Sequence, residues 1–278
     1  VVFMFIDVHT HLTHEKFKED WESVINRAED VGLSHIVVNG LEPTSNRQIL
    51  DMASKYAVVK PALGIYPLDA VNEQLPPDLP FRVSRFSVED EIKHIAARAA
   101  SGDLFAVGEC GLDGHWVGPD TFPQQEKVFE QLIEIAMNHD LPIIIHTRKL
   151  ERRAAEILRH HGTKKVNFHC FGGRSKWAIQ WADQDGWWFS IPSNARRNES
   201  FTKMLRQMPV EKILTETDAP YLGKDRGERS EPAHVVETVQ YLSELRNWTV
   251  DKAKQQVFQN FCDLFSLDIQ DDSRRLLM

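Results

Sequence analysis

Apolar positions in this chain fall into two patterns that alternate from end to end. Short runs rich in Val, Ile and Phe are separated by longer stretches in which apolar residues recur every three or four positions. The short runs predict β-strands near residues 3–7, 35–39, 58–64, 105–109, 142–146, 165–169, 187–191 and 212–217. The longer stretches predict helices. Residues 125–139 place Val128, Phe129, Leu132, Ile133, Ile135 and Ala136 on one face, residues 231–245 read as a further helix, and Val250–Phe265 repeats Val257, Phe258, Phe261, Leu264 and Phe265. Eight strand–helix units in 278 residues predict an α/β fold of the (β/α)8 TIM-barrel type. The competing doubly wound sheet usually carries a glycine-rich phosphate loop, and neither GxGxxG nor GxxxxGK[ST] occurs. With no linker or repeat, residues 1–278 are expected to form a single domain. The segment 69–87, with Pro76, Pro77 and Pro80, is long for a strand-to-helix connection and predicts a lid or binding loop.

Composition narrows the class. A hydrophobic fraction of 42% and a charged fraction of 27% are ordinary for a soluble globular protein. The net charge of −8 gives no bulk attraction for nucleic acid, although a single face can still be basic. Cys110, Cys170 and Cys262 form no CxxC pair, so buried thiols in a reducing compartment are expected rather than a disulfide framework. The apolar start is broken by Asp7 after six residues, too soon for a signal peptide or membrane span, and no other run is long enough. A cytoplasmic location is expected, with no membrane association and no obligate protein partner.

Candidate chemistry concentrates at strand ends. The first strand runs into Asp7-Val8-His9-Thr10-His11, where residues two apart point to one side and present two imidazoles together. The fourth reaches Glu109 and then Asp113, the fifth ends in His146, the sixth in His169 and the eighth in Asp218. Taken singly, each has an ordinary structural reading: a buried histidine, a solvated strand end, a turn-initiating Asp before proline. Together, four histidines and several carboxylates at the carboxyl ends of five strands suit one or two divalent metals on the active face of a barrel. Glu109 is placed to bridge two cations, and Asp218 to ligate one and accept a proton from a shared water. This describes metal-assisted hydrolysis without naming the bond.

At these residues the chain resembles the TatD family of metal-dependent deoxyribonucleases. The resemblance runs from Asp7 to about Phe265. It rests on Asp7-Val8-His9-Thr10-His11, Val107-Gly108-Glu109-Cys110-Gly111-Leu112-Asp113, Gln125 with Phe129, and Leu141 to His146. It continues through His169-Cys170-Phe171-Gly172-Gly173, Glu216-Thr217-Asp218-Ala219-Pro220-Tyr221-Leu222 and Glu231-Pro232. It implies a barrel of the amidohydrolase superfamily. One divalent ion would be held by His9, His11, Glu109 and Asp218, and a second by Glu109, His146 and His169, the ions being Mg²⁺, Mn²⁺ or Zn²⁺. The implied activity is 3′-to-5′ exonucleolytic hydrolysis of DNA by a metal-bound hydroxide, with Glu109 and Asp218 as the catalytic carboxylates. Where the family usually has Gly-x-His-Pro-His, this chain has Gly64-Ile65-Tyr66-Pro67-Leu68. Tyr66 keeps a donor hydroxyl, but a phenol is a poor proton shuttle at neutral pH. His115, after Asp113, is a candidate to compensate.

Cations follow the strand ends as an anionic substrate requires: Arg148, Lys149, Arg152 and Arg153; Arg174 and Lys176; Arg196 and Arg197; Lys224, Arg226 and Arg229, although Arg152 and Arg153 are expected to be simply solvated. Tyr66, Asp113, His115, Arg148 and Arg174 are the candidate substrate-binding residues. Trp116, Phe122 and Phe171 are candidates to stack on bases, whereas Trp187 and Trp188 are expected in the core. Two other readings compete. One is metal-dependent hydrolysis of another bond, such as a D-aminoacyl-tRNA ester, a small phosphoester, an amide or a lactone. The other is a non-catalytic metal-binding barrel.

Overall fold

The structure is a computed structural model that describes residues 3–75, 84–223 and 225–268. Eight parallel strands hydrogen-bond in chain order: β1 (Phe5–Thr10), β2 (Leu33–Asn39), β3 (Val59–Leu63), β4 (Ala106–Asp113), β5 (Ile143–Arg148), β6 (Val166–His169), β7 (Trp188–Pro192) and β8 (Ile213–Glu216). The sheet curls until its last strand returns to its first. The Thr215 hydroxyl donates to the Ile6 carbonyl at 2.7 Å, and the Asp218 N–H donates to the His9 carbonyl at 2.9 Å. The result is a nearly closed (β/α)8 barrel, as the alternation of patterns predicts.

Among the described residues nine α-helices cover it: α1 (Trp21–Asp30), α2 (Pro43–Lys55), α3 (Val88–Ala100), α4 (Phe122–Asn138), α5 (Glu151–His161), α6 (Ser175–Gln184), α7 (Glu199–Gln207), α8 (Val235–Arg246) and α9 (Val250–Phe265). Local chemistry sets their ends. The Glu42 carboxylate accepts the N–H groups of Thr44 and Ser45 at 2.7 Å each, with Pro43 in the first turn of α2. Gly162 closes α5 at φ +68°, a conformation that costs glycine little. Among the described residues no helix is long and apolar enough to cross a membrane.

Three strands run further than the apolar pattern predicts. β1 extends through Thr10, β4 through Asp113 and β5 through Arg148. The β4–β5 ladder carries on through Gly111↔His146 and Asp113↔Arg148, although the side chains there are polar. His146 therefore stands on paired backbone, whereas His9 and Glu109 fall where the β1–β2 and β4–β5 registers shift.

The segment expected to form a lid is partly a packed element. Asp69–Gln74 is a short 3₁₀ helix, and Leu68, Val71 and Leu75 are buried against Tyr66 and Val117. Residues 76–83, with the three prolines, lie outside the described residues. Phe171 also departs from expectation: it is 1% exposed, packed edge-on against Phe168, Trp181 and Phe189 in the wall. Phe122 is half-buried against the backbone of Gly114. Trp187 is core as expected, whereas Trp188 is half-buried with the Lys212 ammonium 3.4 Å from its ring centroid.

At the end where the strands begin, α9 seals the barrel. Phe261 lies against His35 and Phe105, and the Asn260 amide donates to the carbonyls of Val210 and Ile213 at 2.7 Å each. His35 is 3% exposed, and burial, helped by the Lys60 charge, pushes its pKa down to about 3. The unfolded chain, with an ordinary imidazole near 6.5, binds the extra proton first as pH falls. Stability is complete above pH 6.5 and declines as pH drops toward 3. The expected loss between pH 7 and pH 4 is about 3 kcal/mol from this group. Urea titrations of wild type and His35→Leu at both pH values measure it: the variant should lose that much less, and equal losses would overturn the assignment.

Candidate metal centre

Six side chains converge at the carboxyl end of the barrel. β1 contributes His9 and, just beyond its end, His11; β4 contributes Glu109, β5 His146 and β6 His169; Asp218 follows β8. Glu109 is at the middle. One oxygen, Oε1, lies 3.1 Å from His146 Nδ1 and 3.0 Å from His169 Nε2. The other, Oε2, lies 3.3 Å from His11 Nε2 and 3.5 Å from His9 Nε2. Asp218 Oδ1 is 3.5 Å from both His9 Nε2 and His11 Nε2. His9 and His169 stack with centroids 3.7 Å apart.

The backbone is shaped for this convergence. A Cβ on Gly64 would fall 2.3 Å from the Glu109 carbonyl oxygen, and one on Gly111 (φ +138°) 2.0 Å from the His146 carbonyl oxygen. Only glycine lets β3 and β5 approach β4 so closely. Asp218 itself adopts φ +51°, a left-handed conformation that Asp tolerates better than most residues and that its N–H bond to His9 secures.

The outer groups orient the inner ones. His11 Nδ1 donates to the Asn39 carbonyl at 3.0 Å, leaving Nε2 its lone pair. His146 Nε2 donates to Asp113 Oδ2 at 3.0 Å, leaving Nδ1 free to face Glu109. Asp7 accepts from the His9 and Thr217 N–H groups at 3.1 Å and from the Thr217 hydroxyl at 2.6 Å, which ties β1 to β8 beneath the site. Burial nevertheless raises the Asp7 carboxyl to about 7. Below it, the Ser190 hydroxyl donates to Glu216 at 2.5 Å and accepts from Asn167 at 3.0 Å; burial and the nearby Asp218 charge hold Glu216 well above the usual carboxylate range.

The donor set fits a cation. His9 Nε2 and His11 Nε2 point at one another across 3.1 Å, an approach that two neutral lone pairs do not tolerate without a proton or cation between them. Burial opposes charge on His11, but hydrogen bonds to Asp218 and Glu109 outweigh it and raise the imidazole to about 10. His146 is raised to about 9 against burial by Asp113 and Glu109, and His169 is lowered to about 4 by burial and the neighbouring His9. Among the described residues, ligand atoms within 4.8 Å of one another form three overlapping groups: His9, His11 and Glu109; His9, His169 and Asp218; Glu109, His146 and His169. Nitrogen and oxygen donors in this mixture suit a divalent transition metal or a harder ion.

The candidate substrate residues divide. Tyr66 hangs over the site with its hydroxyl 3.4 Å from His146 Nε2, and burial, then Glu109 and Asp113, raise its pKa still higher. Asp113 is fully buried; Oδ1 accepts the N–H groups of His115 and Trp116 at 2.7 and 3.1 Å while Oδ2 holds His146. Both of its oxygens are thus engaged within the protein. His115 packs edge-on to Trp116, which is 46% exposed with the Arg148 guanidinium 5.5 Å from its ring. Arg174 is exposed, 5.4 Å from the Trp177 ring. Several other rim cations are committed to the fold: Arg153 to Glu126, Arg196 to Glu244, and Arg229 to Asp20. Lys224 lies outside the described residues.

Comparisons with known proteins agree with this architecture. The family model described as TatD related DNase matches residues 6–266. An uncharacterized metal-dependent hydrolase of Bacillus subtilis, YabD, is 29% identical over 272 residues, covering 95% of this chain and all of its own. The 3′-5′ ssDNA/RNA exonuclease TatD of Citrobacter koseri is 29% identical over 253 residues, covering 87% of this chain and 90% of its own. The crystal structure of YjjV, a TatD homologue from Escherichia coli, superposes with a TM-score of 0.80 at 25% identity, over 95% of this chain and 98% of that one. The chain belongs to the TatD-related DNase family and is a metal-dependent hydrolase.

Proposed function

We propose that the chain hydrolyses phosphodiester bonds of DNA with two divalent metal ions, removing nucleotides stepwise from 3′ ends. The observation that carries this reading is Glu109, whose two oxygens face two different pairs of imidazoles. His9, His11, Glu109 and Asp218 would hold one ion, and Glu109, His146 and His169 the other. Bound there, Mg²⁺, Mn²⁺ or Zn²⁺ would supply an activated water and neutralise charge on the attacked phosphate. Asp218 is kept ionised, since hydrogen bonds from His11 and His9 outweigh its burial, and it stands ready to take a proton. Arg148 and Arg174 receive substrate phosphates at the rim, and Trp116 offers a base its exposed face. Tyr66 steers by hydrogen bonding rather than by proton transfer, in keeping with its raised pKa. The likeness to the C. koseri 3′-5′ ssDNA/RNA exonuclease supports the 3′-to-5′ direction. Cys110, Cys170 and Cys262, retained as thiols, support the cytoplasm as the working compartment.

The test is hydrolysis of 3′- and 5′-labelled single-stranded DNA with Mg²⁺, Mn²⁺ or Zn²⁺, with chelator, and with Asp218→Asn. The 5′-labelled strand should shorten in single-nucleotide steps, chelator should abolish shortening, and the variant should be slower by about a hundredfold or more. Intact DNA in a protein that retains its metals would refute the DNA assignment.

A further inference from the structure

Residues 146–176 contain nine Lys or Arg and only two Glu, in a chain whose net charge is −8. The fold gathers the upper part of this surplus on one side of the barrel. Arg148 lies beside the exposed Trp116 at the end of β5. Gly173 abuts Glu151 at the start of α5, since a Cβ there would lie 3.1 Å from the Glu151 side chain, which brings Arg174 and Trp177 alongside. From there a groove of about 320 Å³ descends between α5 and α6, lined by Arg152, Trp177, Gln180 and Gln184, with Arg159 and Trp181 deeper in.

Its chemistry is specific. Arg152 is exposed and has no ion pair among the described residues. Trp177 is half-buried and stacks parallel on Trp181 with centroids 6.2 Å apart, which holds the indole rigidly at the groove wall. Arg159 is exposed but donates to Asp185 and spreads over Trp181 and Trp187, so its charge is already paired. The glutamines carry both donors and acceptors. Glu156, the acidic member of the lining, is paired with Arg153 at 3.7 Å. An unpaired guanidinium, a fixed indole and amide groups in a groove the size of a small-ligand site are what phosphates and bases of a single strand require.

We propose that the α5–α6 groove is a track for single-stranded nucleic acid, binding the part of the strand that lies outside the metal centre and reaching it over the Arg174–Trp177 and Arg148–Trp116 pairs. The proposal rests on the nuclease reading of that centre and extends it. An acidic peptide would use the cations but leave the indole face without a planar partner.

The test uses the metal-loaded protein and fluorescent phosphorothioate oligothymidylates of three and twelve nucleotides, read by anisotropy across a salt series. Wild type should bind the longer strand about tenfold or more tightly than the shorter. In Arg152→Glu/Trp177→Ala this advantage should fall to within about twofold, and the slope of log affinity against log salt should drop by about one. Lys203→Glu, a charge reversal on α7, should keep both. A wild type without length advantage, or a double variant that retains it, overturns the track; so does poly-glutamate binding that depends on Arg152 while the oligonucleotide's does not. Hydrolysis of the ordinary trinucleotide is read separately. Shortening without a length advantage keeps the nuclease and removes the track. Binding through Arg152 and Trp177 without shortening keeps the track and removes the nuclease.

Discussion

Replacing Glu109 with glutamine is expected to lower kcat/KM by at least about a thousandfold and, on the proposed two-ion reading, to reduce the bound metal from two ions per chain to one or fewer. Glutamine keeps the shape but removes the charge, and it substitutes an NH₂ for one of the two oxygens. That NH₂ would face either His146 Nδ1 and His169 Nε2 or His9 Nε2 and His11 Nε2, all within 3.0–3.5 Å of the carboxylate now. Whichever way the amide turns, one pair of imidazoles meets a donor where a cation requires an acceptor. Glu109 is ionised despite complete burial, because the surrounding imidazoles outweigh the desolvation that would raise its pKa. Its negative charge is therefore available to a cation on either side of the carboxylate. Elemental analysis after dialysis gives the stoichiometry, and circular dichroism shows whether the barrel persists. A variant with two ions and activity within tenfold of wild type would show that Glu109 does not bridge.

Much of this centre was legible in the chain because the barrel imposes one rule, that side chains at strand carboxyl ends meet. His146 after three isoleucines and His169 after Val166-Asn167-Phe168 follow it directly. What the pattern hides is how the polar rim is shared out. Asp113 reads as a substrate-facing acid, yet its partner His146 lies 33 positions away, a pairing that only the β4–β5 register discloses. Arg196 and Arg229 read as part of a rim for an anionic substrate, but each finds its carboxylate on a different element. Phe171 follows a ligand and precedes two glycines, which predicts an exposed loop; the chain instead turns it back into the wall. Glu216 was open to inference and missed. It closes β8 two residues before Asp218, at a strand carboxyl end where the barrel already gathers ligand-type side chains.

Phe168→Ala should be the most costly single change in the wall and should also reach the metal. On β6, Phe168 points outward where His169 points to the site. Its ring stacks on Phe189 at 5.2 Å and meets Trp187, Trp181 and Phe171 at 5.6–5.7 Å, with no exposure. Truncation removes a full aromatic side chain from a cluster whose rigid neighbours cannot close the space, at a cost of about 4 kcal/mol. For a chain of this size that corresponds to a fall in Tm of about 8–16 °C. The space opens directly behind His169, whose Nε2 must stay near 3.0 Å from Glu109 to complete the second ligand group. Loss of that support should weaken a cation held by Glu109, His146 and His169 by about tenfold, well below the temperature at which the barrel melts. Phe168→Leu, which refills most of the volume, should recover more than half of both effects. Calorimetry and metal titration at 20 °C separate the outcomes: a lower Tm with unchanged metal affinity would mean that the wall stabilises the barrel without positioning His169.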